Sequence, residues 1–218
     1  MIDAKLQLNS DTVYVYVAKF DLDVEVQPVQ PAIRNQAIER CADALTRRQR
    51  FCVWRLLDYA LKEHCGKGVD GFNFDVDTNG KWTSNAPAHF SLSHSNNVVA
   101  VALSAHNVGV DIEAVGSFAD RASDEAFVCR VLNDAERQVL ECCEPSSRDQ
   151  QLAMFWTRKE SVFKLDGGTH FIPKNIDTTC PAPSAECTTG FVTIDGNEYA
   201  LSGATRDKLK LTVQVVDI

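Results

Sequence analysis

Gly109-Val110-Asp111-Ile112-Glu113 alternates apolar and acidic residues, the pattern of a β-strand that carries Asp111 and Glu113 on one face and Val110 and Ile112 on the other. Two carboxylates at that spacing can grip a hard cation, but the same pattern suits a solvent-facing strand edge. What lies near the strand decides between them. Phe155-Trp156-Thr157-Arg158-Lys159-Glu160-Ser161-Val162-Phe163-Lys164 reads as a helix and offers Glu160 as a third carboxylate flanked by two lysines. Alone, Glu160 and Lys164 would be an exposed i,i+4 ion pair of about 0.2–0.5 kcal/mol. Trp156, Lys159, Glu160, Phe163 and Lys164 share one helical stripe, however, and aromatic packing at 156 and 163 would turn the charges inward, where they imply a ligand. Mg²⁺ takes oxygen ligands and commonly shares them with phosphates, and fixed lysines beside it stabilise phosphoryl charge. The strand and helix together point to phosphate chemistry.

Outward from this pair, the chain falls into alternating elements. Thr12 to Ala18 is rich in β-branched and aromatic residues and predicts a strand; Pro28 and Pro31 precede a helix from about Ala32. Phe51, Trp54, Leu57, Ala60 and Leu61 recur at helical spacing between Thr46, the expected N-cap, and Gly66. An Asn79-Gly80 turn follows, then strands at Phe90 to Ser95 and Val98 to Leu103, and then the acidic strand. Gly116 to about Glu144 predicts two shorter helices, the second capped by Asn133 or Asp134, and Pro145-Ser146-Ser147 separates them from the helix of Glu160. After Gly167-Gly168 come three β-like runs, Gly190 to Ile194, Glu198 to Ser202 and Leu209 to Val216. The expected fold class is α+β, with two similar halves over 1–105 and 106–218, each a helix followed by antiparallel strands.

Composition bounds the function. The 218 residues are 44% hydrophobic, enough to bury a core. The 22 basic residues are outnumbered by 30 acidic ones, giving a net charge of −8 and arguing against nucleic acid as a partner. No apolar run reaches membrane length and Met1 to Ser10 lacks a basic start with an apolar core, so neither membrane insertion nor export is expected and a cytoplasmic protein is. The eight cysteines form no C-x-x-C pair and are expected as reduced, mostly buried thiols. Ser93-His94-Ser95 ends an apolar strand. Adjacent side chains on a strand point to opposite faces, which disfavours a Ser-His nucleophile, whereas Ser93 and His94 can donate to phosphate oxygens.

These residues resemble the Sfp-type 4′-phosphopantetheinyl transferases. Three of that family's blocks occur in its order: F-x-x-S-H-S at Phe90 to Ser95, G-[VI]-D-[IVL]-E at Gly109 to Glu113, and W-x-x-K-E-[SA]-x-x-K from Trp156 to Lys164. The resemblance implies transfer of the phosphopantetheine arm of coenzyme A to a serine of an acyl or peptidyl carrier protein, and a monomer built as a pseudo-dimer of two α+β halves with the coenzyme between them. It implies Asp111, Glu113 and Glu160 as ligands of Mg²⁺, or Mn²⁺ in its place, and Ser93, His94, Lys159 and Lys164 as phosphate contacts. Lys81 corresponds to the lysine of the family's G-K-P block, with Trp82 in place of the proline, and Arg55 to an arginine at the nucleotide end. Leu56 stands where some relatives have a nucleotide-contacting threonine. Glu160 or Glu136 would take the proton of the carrier serine, with Lys164 stabilising the developing charge. Arg121, Phe127, Val128 and Arg130 are the candidate carrier-docking residues. A Mg²⁺-dependent phosphohydrolase and a non-catalytic carrier-binding module are the rival expectations.

Overall fold

The computed structural model describes residues 8–179 and 185–218. In chain order its elements are β1 (Thr12–Lys19), α1 (Ala32–Glu39), α2 (Ala44–Cys65), β2 (Phe74–Val76), β3 (Trp82–Ser84), β4 (His89–Ser95) and β5 (Val98–Ser104). They continue as β6 (Val108–Ala114), α3 (Glu125–Val131), α4 (Asp134–Cys142), α5 (Arg148–Asp166), β7 (Glu186–Ile194), β8 (Asn197–Thr205) and β9 (Lys210–Val215). The expected α+β class holds. The chain forms two compact units, Met1–Val108 with Leu209–Ile218, and Gly109–Lys208.

The first unit lays α2 on a four-stranded sheet of order β4-β5-β1-β9. All seven residues of β5 are buried, so this strand lacks any polar alternation, while Trp54, Leu57 and Leu61 of α2 close the core over Tyr16, Phe90, Val99 and Leu103. The cap of α2 is Asp43 and not Thr46: the Asp43 carboxylate accepts from the Thr46 backbone N–H at 2.6 Å, because Ala44 and Leu45 are already helical. β2 and β3 form a separate hairpin.

β9 corrects the expected domain boundary. It pairs parallel to β1, from Thr12 opposite Lys210 to Val17 opposite Val215, and so belongs to the first unit although it is last in sequence. A terminal run carries its pairing partner nowhere in its own pattern; the open edge of β1 takes it.

The second unit lays α5 on a three-stranded sheet of order β6-β8-β7. β7 and β8 join through Asp195 and Gly196, both at positive φ as a tight hairpin turn requires. Buried residues surround α5: Leu152, Phe155, Val162 and Leu165, but also Thr157, Lys159 and Ser161. The Thr157 and Ser202 hydroxyls pair at 2.7 Å, which is how a polar residue is accommodated there. Asn133 caps α4 and shares a capping box with Glu136.

The cysteines depart from expectation in burial. The seven among the described residues are unpaired thiols, yet only Cys52 is fully buried, because most of the others stand at helix ends or on the edge strand β7; Cys180 lies outside the described residues. Among the described residues no helix is long and apolar enough to cross a membrane.

Candidate active site

A β-carbon on Gly109 would lie 1.9 Å from the Ser161 carbonyl oxygen and 2.7 Å from the Leu165 nitrogen. The backbone of α5 therefore rests directly on β6 at this glycine, on the face that Asp111 and Glu113 share with it. The contact sets the neighbouring side chains. The Lys164 ammonium donates to Asp111 Oδ1 at 2.6 Å and lies 3.4 Å from Glu160 Oε2. Asp111 is only 2% exposed, whereas Lys164 and Glu160 each keep about a quarter of their side-chain surface, at 26% and 25%. Burial disfavours the Lys164 ammonium, but Asp111 and then Glu160 outweigh that and raise its pKa, so it remains a cation.

Two carboxylates of the expected metal triad thus converge on one cation, and that cation is Lys164. No group of three His, Cys, Asp or Glu side chains is assembled as a metal centre among the described residues. Asp111 and Glu160, converging on one ammonium, present hard oxygen donors of the kind Mg²⁺ takes.

Lys159 and Glu136 depart from their expected roles. Their side chains are wholly buried and ion-paired at 2.7 Å. The Lys159 ammonium also donates to the carbonyls of Pro173, at 2.9 Å, and Ile176, so its three donors are taken and none is left for a phosphate. Glu136 accepts from the Thr178 N–H at 3.0 Å, the Thr178 hydroxyl at 2.8 Å and the Asn133 N–H at 3.0 Å in addition to Lys159. Both of its oxygens are doubly engaged and the side chain is closed to solvent. The pair instead ties α4, α5 and residues 173–178 together. Burial lowers the Lys159 pKa, with Glu136 opposing. Sequence gave no sign of Thr178 as the third member.

Around this hub, Trp156 stacks on Phe127 with centroids 6.1 Å apart and meets Phe171 edge-on at 5.6 Å, while Phe163 packs on Phe171 at 5.1 Å. The guanidinium centres of Arg121 and Arg130 lie 5.1 and 5.5 Å from the Phe127 ring. Both arginines are exposed and Phe127 is half-buried, but Val128 is core and offers no docking surface.

In the first unit, Ser91, Ser93 and Ser95 are buried along one face of β4, and His94 is half-buried on the other with Phe90 and Leu92. Ser93 and His94 consequently leave the strand in opposite directions. Lys81 ends the β2–β3 turn, its N–H donating to Asp77 Oδ1 at 2.9 Å. Arg55 is exposed on α2, with its guanidinium centre 5.8 Å from the Phe51 ring, and lines a pocket of about 340 Å³ with Lys19, Asp21, Asp23, Cys52 and Asp217. Leu56 is fully buried, a core residue without a nucleotide-facing role.

The family model described as the 4′-phosphopantetheinyl transferase superfamily matches residues 107–202, a span that contains β6, α5 and the Lys159–Glu136 hub. The 4′-phosphopantetheinyl transferase AcpT of Escherichia coli O157:H7 is 30% identical over 156 residues, covering 70% of this chain and 72% of that protein. AcpT of Salmonella typhimurium is 34% identical over 105 residues, 46% of this chain and 52% of its own length. The 4′-phosphopantetheinyl transferase gsp of Aneurinibacillus migulanus is 32% identical over 87 residues, 40% of this chain and 35% of that protein.

Proposed function

The chain belongs to the 4′-phosphopantetheinyl transferase superfamily, and we propose that it moves the phosphopantetheine arm of coenzyme A onto a serine of an apo acyl or peptidyl carrier protein, releasing 3′,5′-ADP. It is an enzyme of the transferase class. The observation that carries the finer reading is the Lys164 ammonium held between the carboxylates of Asp111 and Glu160, where α5 rests on β6.

In this reading Asp111, Glu113 and Glu160 hold Mg²⁺, or Mn²⁺ in its place. The ion, when bound, neutralises pyrophosphate charge and aligns the leaving group. Lys164, kept protonated by its carboxylate neighbours, supplies a fixed positive charge to the phosphoryl oxygens as charge develops. His94 contacts the phosphates, and Lys81 and Arg55 the coenzyme towards its nucleotide end; Ser93, buried on the opposite face of β4, leaves the strand away from them. The serine oxygen forms a bond to the β-phosphorus, the bond from that phosphorus to the ADP oxygen breaks, and the serine proton passes to Glu160, directly or through a water. Glu160 retains solvent access and Glu136 has none, which is why the base is assigned to the former. The exposed Arg121 and Arg130, braced on Phe127, form the carrier-docking face, suited to an acidic carrier surface. The two units are taken as related α+β halves of a monomer.

Incubation with coenzyme A and Mg²⁺, with and without apo carrier proteins, tests the proposal by intact mass. Transfer adds about 340 Da to the carrier, as the formula of the modifying group requires. Breakdown of coenzyme A without any carrier adduct would establish a phosphohydrolase instead, and binding without turnover a non-catalytic module. Asp111→Ala should abolish transfer in a folded protein; near-normal Mg²⁺-dependent transfer by that variant would remove the metal assignment.

A further inference from the structure

The β2–β3 hairpin carries Lys81 at its turn and stands apart from the four-stranded sheet of its unit. A two-stranded ribbon is marginal by itself, so its position depends on what its inner face packs against. The register pairs Phe74 with Ser84 and Val76 with Trp82, which places Phe74 and Trp82 on one face. Both rings meet Trp54 of α2, at centroid distances of 4.9 and 5.1 Å.

Beneath them lies a charged group. Arg34 of α1 is only 5% exposed, and its guanidinium centre is 4.9 Å from the Trp54 ring and 5.3 Å from the Trp82 ring. Nη2 donates to the Arg50 carbonyl at 2.6 Å, but Nε is buried without a hydrogen-bond partner. Burial, with Arg50 adding to it, pulls the pKa down only to about 10, so the group is cationic at neutral pH. A buried, partly unsatisfied cation is destabilising unless something compensates it, and two indole faces do so here. Trp54 is itself fixed, its Nε1–H donating to the Gln30 carbonyl at 2.6 Å. Trp82 alone of the three is half-exposed, and it is covalently next to Lys81. In the related G-K-P block a proline stiffens the backbone after the lysine; here Trp82 occupies that position and is clamped by its side chain.

We propose that Arg34 is a positioning residue for coenzyme binding, packed against both Trp54 and Trp82 so that the hairpin holds Lys81 where it meets the coenzyme. The inference rests on the reading of Lys81 as a coenzyme contact. Initial rates against coenzyme A at saturating apo carrier protein, for Arg34→Met, Lys81→Ala and the double variant, test it. Arg34→Met raises KM for coenzyme A about tenfold with kcat changed less than twofold, since the clamp acts on binding and not on the reacting groups. The double variant is within twofold of Lys81→Ala, because a clamp has no effect once the lysine it positions is gone. An unchanged KM in Arg34→Met, or effects that multiply in the double variant, would overturn the clamp. If Arg34→Met does not fold, Trp82→Leu takes its place with the same expected outcomes. A normal KM in Lys81→Ala alone would overturn the Lys81 assignment and the positioning role with it, and the single variant makes that failure recognisable.

Discussion

Replacing Lys159 by Met separates a structural cation from a catalytic one. In the native protein Lys159 and Glu136 are both wholly buried at 2.7 Å, and Lys159 also satisfies the Pro173 and Ile176 carbonyls. Met fills a similar volume but leaves the Glu136 carboxylate buried with no counter-charge, and two carbonyls without their donor. Breaking a buried pair from one side costs about 3–5 kcal/mol. The Thr178 and Asn133 bonds to Glu136 persist, which places the expected loss near the lower end of that range. Adding Glu136→Gln removes the stranded charge, so the double variant recovers at least about 1 kcal/mol, a non-additivity characteristic of contacting residues. Urea unfolding read by tryptophan fluorescence, in which Trp156 reports on α5, measures both quantities. Below its unfolding transition, Lys159→Met should retain measurable transfer. Two results would refute the reasoning: a loss under about 1 kcal/mol with strictly additive effects, or a fully folded Lys159→Met protein devoid of transfer, as expected of a phosphate-binding lysine.

Gly109→Ala should be disproportionately harmful, destabilising by about 1–3 kcal/mol and greatly reducing transfer, since its methyl group meets α5 backbone and not a movable side chain; unfolding and transfer assays of this single variant check it, and a wild-type profile would show that α5 can shift freely. Burial raises the Tyr16 pKa from 10.0 to about 12, aided by Glu63 and the neighbouring tyrosines. The folded state then keeps a proton that the unfolded state releases, so this contribution is intact below pH 10 and lost as pH rises towards 12; phenolate absorbance should show a late-titrating contribution that disappears in Tyr16→Phe. Neutralising Arg121 and Arg130 together should raise KM for the carrier protein and leave KM for coenzyme A unchanged, measured in paired titrations; equal changes in both would remove the docking face. Chelation of divalent cations should halt transfer, and Mg²⁺ or Mn²⁺ should restore it in the mass assay.

Much of the local structure was legible in the chain because the relevant signals are themselves local. The apolar spacing of Trp54, Leu57 and Leu61 marks α2, and the capping residues Asn133 and Asp134 mark the start of α4. Glu160 and Lys164 were identifiable as a pair because residues four apart share one face of a helix. The failures share one cause. Lys159 and Glu160 are adjacent residues of a helix buried nearly all round, so no stripe distinguishes the lysine that meets Glu136 in the core from the glutamate that meets Lys164.

By itself, the sequence determined the types of element, the α+β class and the small set of charged residues able to serve phosphate chemistry, since period, caps and turn residues act within a few positions of the chain. Only the tertiary structure decided that β9 joins β1, that Lys159 and Glu136 pair with each other in the core, and that Lys164 lies between Asp111 and Glu160. Those outcomes depend on which backbones come close enough to touch. At Gly109 that distance leaves no room for even one carbon atom.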